Sequence, residues 1–476
     1  MVAAKSEAHM NLPQTAARRW ALALTALASF TVALDGLVTA AALPSIQQSF
    51  DATLAQLQWT SNAYNLSFAV LLSVGAAIGD RLGRKRVFAA GLALFALASV
   101  GCALSGSIGA LIVARAVQGA GAALVMPMAL ATLSVAFPAE QRGKALGIFG
   151  SITGLAPLSG PAIGGAISQG LHWTWIFWIN VPIVIVLIPL ALSRLDESRG
   201  PATRVDIPGI ALIGGMSFAA AWALMRGNET GWGSAEVLSS IGTAIVLLLA
   251  VVAWLRRTSD PVIPPRLFAA KGFGGGLMAA FFLYGALYAT LFFITQFLQV
   301  AQGYGPLEAG LRLLPWTATL FFVAPVAGSL INRVGERPLV VAGLVLNTLG
   351  LAWLGVTASV TMTLAAMAPA LVAMGVGVSL AMPALQSGVL RTVPPADIGK
   401  ASGSYSMAQF IGGVFGIAIA ACTFLAFGTY ANPQAFTDGF RAMIGSAAVM
   451  TALGALMATG LSAARRDVAT PATATP

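Results

Sequence analysis

Charge is what this sequence has least of. Asp, Glu, Lys and Arg make up 9% of its 476 residues, where a soluble domain carries about a quarter. With 58% of the chain hydrophobic, water is excluded as the solvent for most of it. Histidine and cysteine are rarer still, at 2 each. Cys102 and Cys422 lie in separate apolar runs, without metal-ligand spacing or an extracellular framework, so neither a zinc site nor a disulfide scaffold is expected and both read as core residues. His172, beside Trp173, Trp175 and Trp178, reads as part of an aromatic anchor at a membrane interface and not as a proton relay. The sequence shows no phosphate-cradling loop and no paired nucleophile and base, which argues against an ATP-driven pump and a membrane-embedded enzyme.

Apolar runs, by contrast, fill the chain. About 20 residues cross a hydrocarbon core of about 30 Å as a helix. Runs of that length recur at 20–43, 57–79, 87–106, 108–131, 144–168, 174–193, 207–226, 237–255, 273–299, 307–331, 338–357, 361–385, 400–427 and 441–463. They predict an all-α integral membrane protein of about fourteen transmembrane helices. The first run follows Arg18 and Arg19 as a signal peptide would, yet continues through Leu43 without a clear cleavage site and reads as an uncleaved helix.

The formal charge of +10 sits in short connections and forms no soluble basic patch, so nucleic acid is not an expected partner. Alternate connections carry it. Arg81, Arg84, Lys85, Arg86, Arg142, Lys144, Arg194, Arg256, Arg257, Arg333, Arg337, Arg391 and Lys400 fall on one side, and only Arg226, Arg312 and Arg441 on the other. By the positive-inside rule both termini are expected in the cytoplasm. The excess of arginine over lysine and the abundance of alanine point to a high-GC bacterial genome, hence a bacterial cytoplasmic membrane.

Two connections repeat. Asp80-Arg81-Leu82-Gly83-Arg84 recurs as Asn332-Arg333-Val334-Gly335-Glu336, and the loop from Phe137 to Ala145 recurs from Val393 to Ala401. Both copies lie on the same side, so the repeats run parallel about an axis along the membrane normal. The expected organisation is a tail (1–19), a six-helix bundle (20–193), an inserted two-helix region (194–272), a second six-helix bundle (273–463) and a second tail (464–476). The inserted spans hold no internal ionisable residue and read as a structural linker or lipid-facing pair.

Four stretches carry chemistry. In the connection from Gly75 to Arg86, Gly79 and Gly83 permit a tight turn and close helix approach beside Asp80, Arg81, Arg84 and Lys85 at the membrane edge. Asp80 can pair with loop arginines or cap a neighbouring helix, a lock that breaks when two bundles rock. Arg115 lies well inside a span, at about 2.5–3.5 kcal/mol on insertion scales, and so must face the interior with a partner; Gln118, one turn on, shares its face. Gly154, Gly160-Pro161 and Gly164-Gly165 are spaced for close, pivoting helix packing. Asp35 is the only one of 16 acidic residues well inside a span, and Thr31, Asp35 and Thr39 form one polar stripe.

Together these stretches resemble the fourteen-span drug:proton antiporters of the major facilitator superfamily, over all of the chain but its tails. The matches are the loop signature after the second span, the fourth-span arginine motif, the fifth-span signature of exporters and the first-span signature of the fourteen-span group. The chain departs from the pattern at Ala76, where the family has Gly, and at Leu37 and Ala40, where Thr and Asn are commoner. Its polar network around Asp35 must therefore be thinner or use other groups. The resemblance implies a major facilitator fold and export of a lipophilic drug, antibiotic or toxic metabolite by alternating access against proton inflow. It also associates Arg115 with proton transfer.

Asp35 is the expected protonation site, tuned by Arg115: burial favours the neutral carboxyl, and an approaching arginine favours the charged one. A permanent Asp35–Arg115 bridge is the structural alternative. For a substrate cavity, Tyr284, Tyr288, Phe292 and Gln296 stand at spacing four on the ninth span, with Asn62, Asn65, Met126, Tyr405 and Gln409 as further candidates; such stripes also serve as plain packing. Glu308 and Arg312 form an i,i+4 pair at the outer end of the tenth span. Import of a metabolite and a transport-inactive sensor are the other readings. The fifth-span signature and Arg115 weigh against the first, and the lack of a sizeable soluble domain against the second. No metal or organic cofactor is expected, protons being the coupling ion. The expected partners are the lipid bilayer and a small lipophilic substrate, with the chain acting as a monomer; some relatives use a periplasmic adaptor, which nothing in the sequence indicates.

Overall fold

The computed structural model describes residues 12–138, 141, 145, 148–150, 152–153, 155–200, 206–259, 261–394 and 397–461. Regular structure among these is helical throughout. In chain order the long helices are α1 (Leu12–Phe50), α2 (Leu54–Leu82), α3 (Arg84–Ala103), α4 (Ile108–Ala136), α5 (Leu155–Gly170), α6 (Asn180–Arg194), α7 (Ile207–Thr230) and α8 (Ala235–Arg257). The second half follows as α9 (Phe273–Gln296), α10 (Leu314–Val334), α11 (Glu336–Thr357), α12 (Leu364–Arg391), α13 (Ile398–Phe427) and α14 (Pro433–Ala458). Short helices Trp175–Trp178 and Pro306–Arg312 precede α6 and α10.

Among the described residues 11 helices are long and apolar enough to cross a membrane, or 12 when α2, bent by 49°, is one span. Adding α5 and α10 by their place in the repeat gives the expected fourteen. Most of both tails, Gly154, and Arg142, Gly143 and Lys144 of the repeated loop lie outside the described residues. The repeat itself has a backbone cause. α2 and α10 both end at a glycine with positive φ, Gly83 at 112° and Gly335 at 89°, a conformation that side chains rarely adopt.

Some boundaries differ from expectation. α14 begins at Pro433, not at 441, because Asn432 caps it through Ala435 N (2.8 Å) and Pro433 suits the first turn. Arg441 thus sits inside the helix, its Nε donating to the Ala358 carbonyl at 2.8 Å. Trp173 is no interfacial anchor: it is buried and donates to Ser49 Oγ at 2.9 Å, whereas Trp175 is exposed.

The two bundles share a core at one end only. Away from the Gly83 and Gly335 turns, Leu43 and Ile46 of α1 join Phe293 of α9, Phe424 of α13 and Phe440 of α14 in one cluster. At the end carrying those turns each half has its own centre, built on Phe88, Phe95 and Met128 in the first and on Phe273, Leu344 and Leu385 in the second. The inserted helices are more than a linker. α7 packs on both α2 and α13, with Trp59 of α2 against Phe218 and Trp222 (ring centroids 5.0 and 5.9 Å), and closes one seam between the bundles.

Polar contacts join the halves at the shared-core end. Pro44 lacks an N–H, so the carbonyl of Ala40, one turn earlier in α1, loses its usual helical donor. Thr295 Oγ1 of α9 donates to that carbonyl at 3.0 Å, and Gln299 Nε2 donates to the Ala41 carbonyl at 3.0 Å. At the opposite seam, Gly165 of α5 meets Pro306, and Gly310 meets Pro161, so closely that a Cβ on either would strike backbone. Replacing Thr295 with Val leaves the Ala40 carbonyl unsatisfied and should weaken closure here by about 1 kcal/mol, roughly fivefold in the equilibrium. In a background without Cys102 and Cys422, a cysteine at position 41 should then react about that much faster with a membrane-impermeant maleimide; an unchanged rate removes the latch.

Candidate functional site

Four helices of the first bundle converge on one carboxylate. Asp35 of α1 is 2% exposed and Arg115 of α4 is 1% exposed, with Arg115 Nη1 2.5 Å from Asp35 Oδ2. Two amides hold the other oxygen: Gln118 Nε2 donates to Oδ1 at 2.9 Å and Asn180 Nδ2, from the first residue of α6, at 2.7 Å. Ser99 Oγ of α3 accepts from both amides, at 2.8 Å from Gln118 and 3.3 Å from Asn180. The arginine is equally occupied, its Nε donating to the Thr60 carbonyl (3.0 Å) and its Nη1 also to Gln118 Oε1 (2.6 Å). The Tyr64 ring lies 4.3 Å from the guanidinium, and that ring's hydroxyl donates to the Val32 carbonyl at 3.1 Å. Desolvating two charges is tolerated only when each is this fully met.

The sequence indicates Asp35, Arg115 and Gln118, and the fold brings all three together. It does not indicate Ser99, Asn180 or Tyr64. A lone amide opening an apolar run, as in Trp178-Ile179-Asn180-Val181-Pro182, was the one available signal. The rest of the polar stripe turns inward on its own helix: Thr31 Oγ1 donates to the Leu27 carbonyl and Thr39 Oγ1 to that of Asp35, both at 2.9 Å.

The loop motif folds against its own bundle. Asp80 Oδ1 accepts from Arg84 Nε at 2.9 Å, its carbonyl accepts from Gly200 N at 3.2 Å, and Glu197 Oε1 accepts from Lys85 N at 3.0 Å. A Cβ on Gly83 would strike Glu197, so the segment after α6 is strapped over this turn. Gly79 lies against Met128 of α4, and Arg81 is exposed. In the second copy the buried acid is Glu336, which accepts from Arg391 Nη1 (2.7 Å) and Ser387 Oγ (3.1 Å). Of the fifth-span motif, Gly160 and Gly164 face α1 at Leu37, Val38 and Ala41, while Pro161 and Gly165 face the short helix of the other half.

The expected cavity residues do not fall in one place. Phe292 and Gln296 are wholly buried in the shared core, Gln296 Oε1 accepting from the Tyr430 hydroxyl at 2.6 Å. Asn62 faces the seam, its amide donating to the Val414 carbonyl of α13 at 3.5 Å. Asn65 is buried and Met126 packs on the first bundle's own core. Tyr284, Tyr405 and Gln409 are neighbours in the second bundle, and Gly413 leaves room for the Tyr288 ring. Phe68 and Phe410, absent from the sequence-based set, meet across the bundles at 4.2 Å. Glu308 and Arg312 pair at 2.8 Å.

Residues 25–417 match the family model described as Major Facilitator Superfamily. The chain is 32% identical over 415 residues to a tetracenomycin C resistance and export protein of Streptomyces glaucescens, covering 87% of this chain and 77% of that one. It is 34% identical over 401 residues to the multidrug resistance protein Stp of Mycobacterium tuberculosis, covering 84% and 74%. Among solved structures, a D-xylose-proton symporter superposes with a TM-score of 0.67 at 15% identity, over 93% of this chain and 97% of that one, a likeness of fold.

Removing one member of the ion pair leaves the other uncompensated. Arg115→Leu should cost about 3–5 kcal/mol of stability, read as a lowered melting temperature of the purified protein. Asp35→Asn combined with Arg115→Leu should recover most of that loss; equal melting of the single and double variants would show that the pair is not coupled.

Proposed function

The chain belongs to the Major Facilitator Superfamily, and on that premise we propose that it exports a lipophilic drug, antibiotic or toxic metabolite from a bacterium in exchange for protons taken up at Asp35. As a member of that family it is a multi-pass transporter and not an enzyme. The observation that carries the proposal is the carboxylate of Asp35 buried with Arg115 inside the first bundle, within a small cluster of neutral polar groups. A charge so placed is costly and marks an ion path. The resistance and export roles in the names of the two relatives supply the direction and class of cargo.

The end bearing the Asp80 and Glu336 loops is the cytoplasmic one in this reading, by its basic residues. The bundles then share their core at the outer end and keep separate cores at the inner end, which suits an inward-facing state. Asp35 is ionised in that state and holds Arg115. Outward opening breaks the contacts of Thr295 and Gln299 with α1 just beyond Asp35, and lets a proton reach it. The cargo sits between the bundles near Tyr64, Phe68, Tyr288 and Phe410. One proton moving through ~150 mV supplies roughly 3–4 kcal/mol, which sustains about a few-hundredfold gradient of a neutral substrate. The chain works as a monomer, with protons in place of any cofactor.

The test is efflux of a lipophilic dye in inverted vesicles. Wild-type transport should collapse with a protonophore, and Asp35→Asn, inserted at normal levels, should fall to the protonophore-treated baseline. Transport by Asp35→Asn at the wild-type rate ends the proton-carrier reading, and transport by both without a proton gradient favours a facilitator.

A further inference from the structure

The two oxygens of Asp35 are unequally held. Among the described residues Oδ2 faces Arg115 Nη1 alone, whereas Oδ1 takes the amides of both Gln118 (2.9 Å) and Asn180 (2.7 Å). The orientation of those amides follows from chemistry: an ionised carboxylate only accepts, so the nitrogen of each must be the near atom. Asn180 is 1% exposed and comes from α6, immediately after the break at Ile179 that separates it from the turn Trp175–Trp178.

A neutral carboxyl has one carbonyl oxygen, which still accepts two hydrogen bonds, and one hydroxyl, which donates. A proton on Oδ1 would set a hydroxyl against two N–H groups. On Oδ2 it would oppose only Arg115. Resting on the proton-carrier reading of Asp35, we propose that Asn180 is a positioning residue that confines the proton to Oδ2, so that proton uptake and release of Arg115 are one event.

The balance is simple. One proton leaves water and bonds to Oδ2, the carboxylate charge disappears, and the contact of Arg115 Nη1 with Oδ2 is lost. The guanidinium loses its counter-charge and keeps three neutral partners, the Thr60 carbonyl, Gln118 Oε1 and the Tyr64 ring. Other titratable groups do not compete at Oδ1. Tyr64 of α2 spends its hydroxyl on Val32, and Cys102 of α3 points at Gln118 Oε1 (3.7 Å). Tyr288 of α9 neighbours Tyr64. Among the described residues α5 brings no acid or base, and α6 only Arg194 at its far end.

Asn180→Leu removes one donor from Oδ1 at similar volume. The charged carboxylate then loses support, and Oδ1, left with the Gln118 amide alone, can take a proton without displacing Arg115. In the purified full-length protein, the infrared C=O band of protonated Asp35, assigned by its loss in Asp35→Asn, should half-develop at about tenfold lower proton concentration than in wild type. The pH profile of dye efflux should move the same way, with fewer dye molecules exported per proton. Asn180→Ser, which keeps a hydroxyl donor, should shift less in the same direction, and carries the measurement if the leucine variant does not fold. A band titrating as in wild type in either folded variant overturns the proposal. Wild-type transport by Asp35→Asn would instead sink the proton-carrier reading, while the titration still shows whether Asn180 orders the carboxyl.

Discussion

A charged pair in a medium without water sets the terms for the first bundle. Asp35 and Arg115 are tolerable only because their hydrogen-bonding capacity is met nearby, and meeting it recruits α2, α3, α4 and α6 around α1. The close helix approach this requires is visible in the small residues: Gly119 lies against the backbone of Tyr64, and Gly121 against that of Phe95. A side chain at either would push apart the helices whose polar groups reach the pair. Among the described residues the second bundle has no such pair at the matching depth, its buried acid Glu336 sitting at a helix start. Its α12, the repeat counterpart of α4, presents Met367 and Leu371, both buried in the apolar core. Two halves of common organisation have thus divided the work, the first holding charge and the second offering aromatic and amide surface.

α1 ties the charged site to the seam between the halves. It carries the carboxylate at Asp35, the proline-freed carbonyl at Ala40 and the surface that receives Gly160 and Gly164, all within three turns. A helix whose hydrogen-bond ladder is interrupted by Pro44 bends more readily there than elsewhere. What happens at Asp35 and what happens at the contacts of Thr295 and Gln299 are therefore events on one element and not separate features joined by distance.

Much of this was legible in the sequence, for identifiable reasons. Span positions follow from apolar length, and the parallel halves from two repeated loops, in the first of which Gly83 and Gly335 both take positive φ. Asp35 and Arg115 stood out because charge inside a span is so rare, and Gln118 because one helical turn separates it from Arg115. Asn180 and Ser99 did not, since a single neutral polar residue within an apolar run costs too little to stand out in sequence, and their role depends on α3 and α6 meeting across the bundle. Trp173 was misjudged for a related reason: tryptophans cluster at interfaces, and only the fold shows that Ser49 takes its N–H. The start of α14 was missed because its opening residues, with Thr437, Asp438 and Arg441, are too polar to read as membrane.

The two seams between the bundles are built differently, and the difference bears on how they move. On one side α7 intrudes between α2 and α13 with pliant contacts, among them Met225 against the Asn62 amide at 3.9 Å and the stacked Phe218 and Trp222. On the other, α5 and the short helix Pro306–Arg312 touch backbone to backbone through Gly165 and Gly310. Rings and thioethers can slide and repack, whereas backbone contact at glycine is either made or broken. In a rocking cycle the inserted helices keep their seam covered through the motion, while the glycine seam supplies the discrete closed position. An inserted pair that only linked the halves would not need to bury Ala221 and Met225 against α2 and α13.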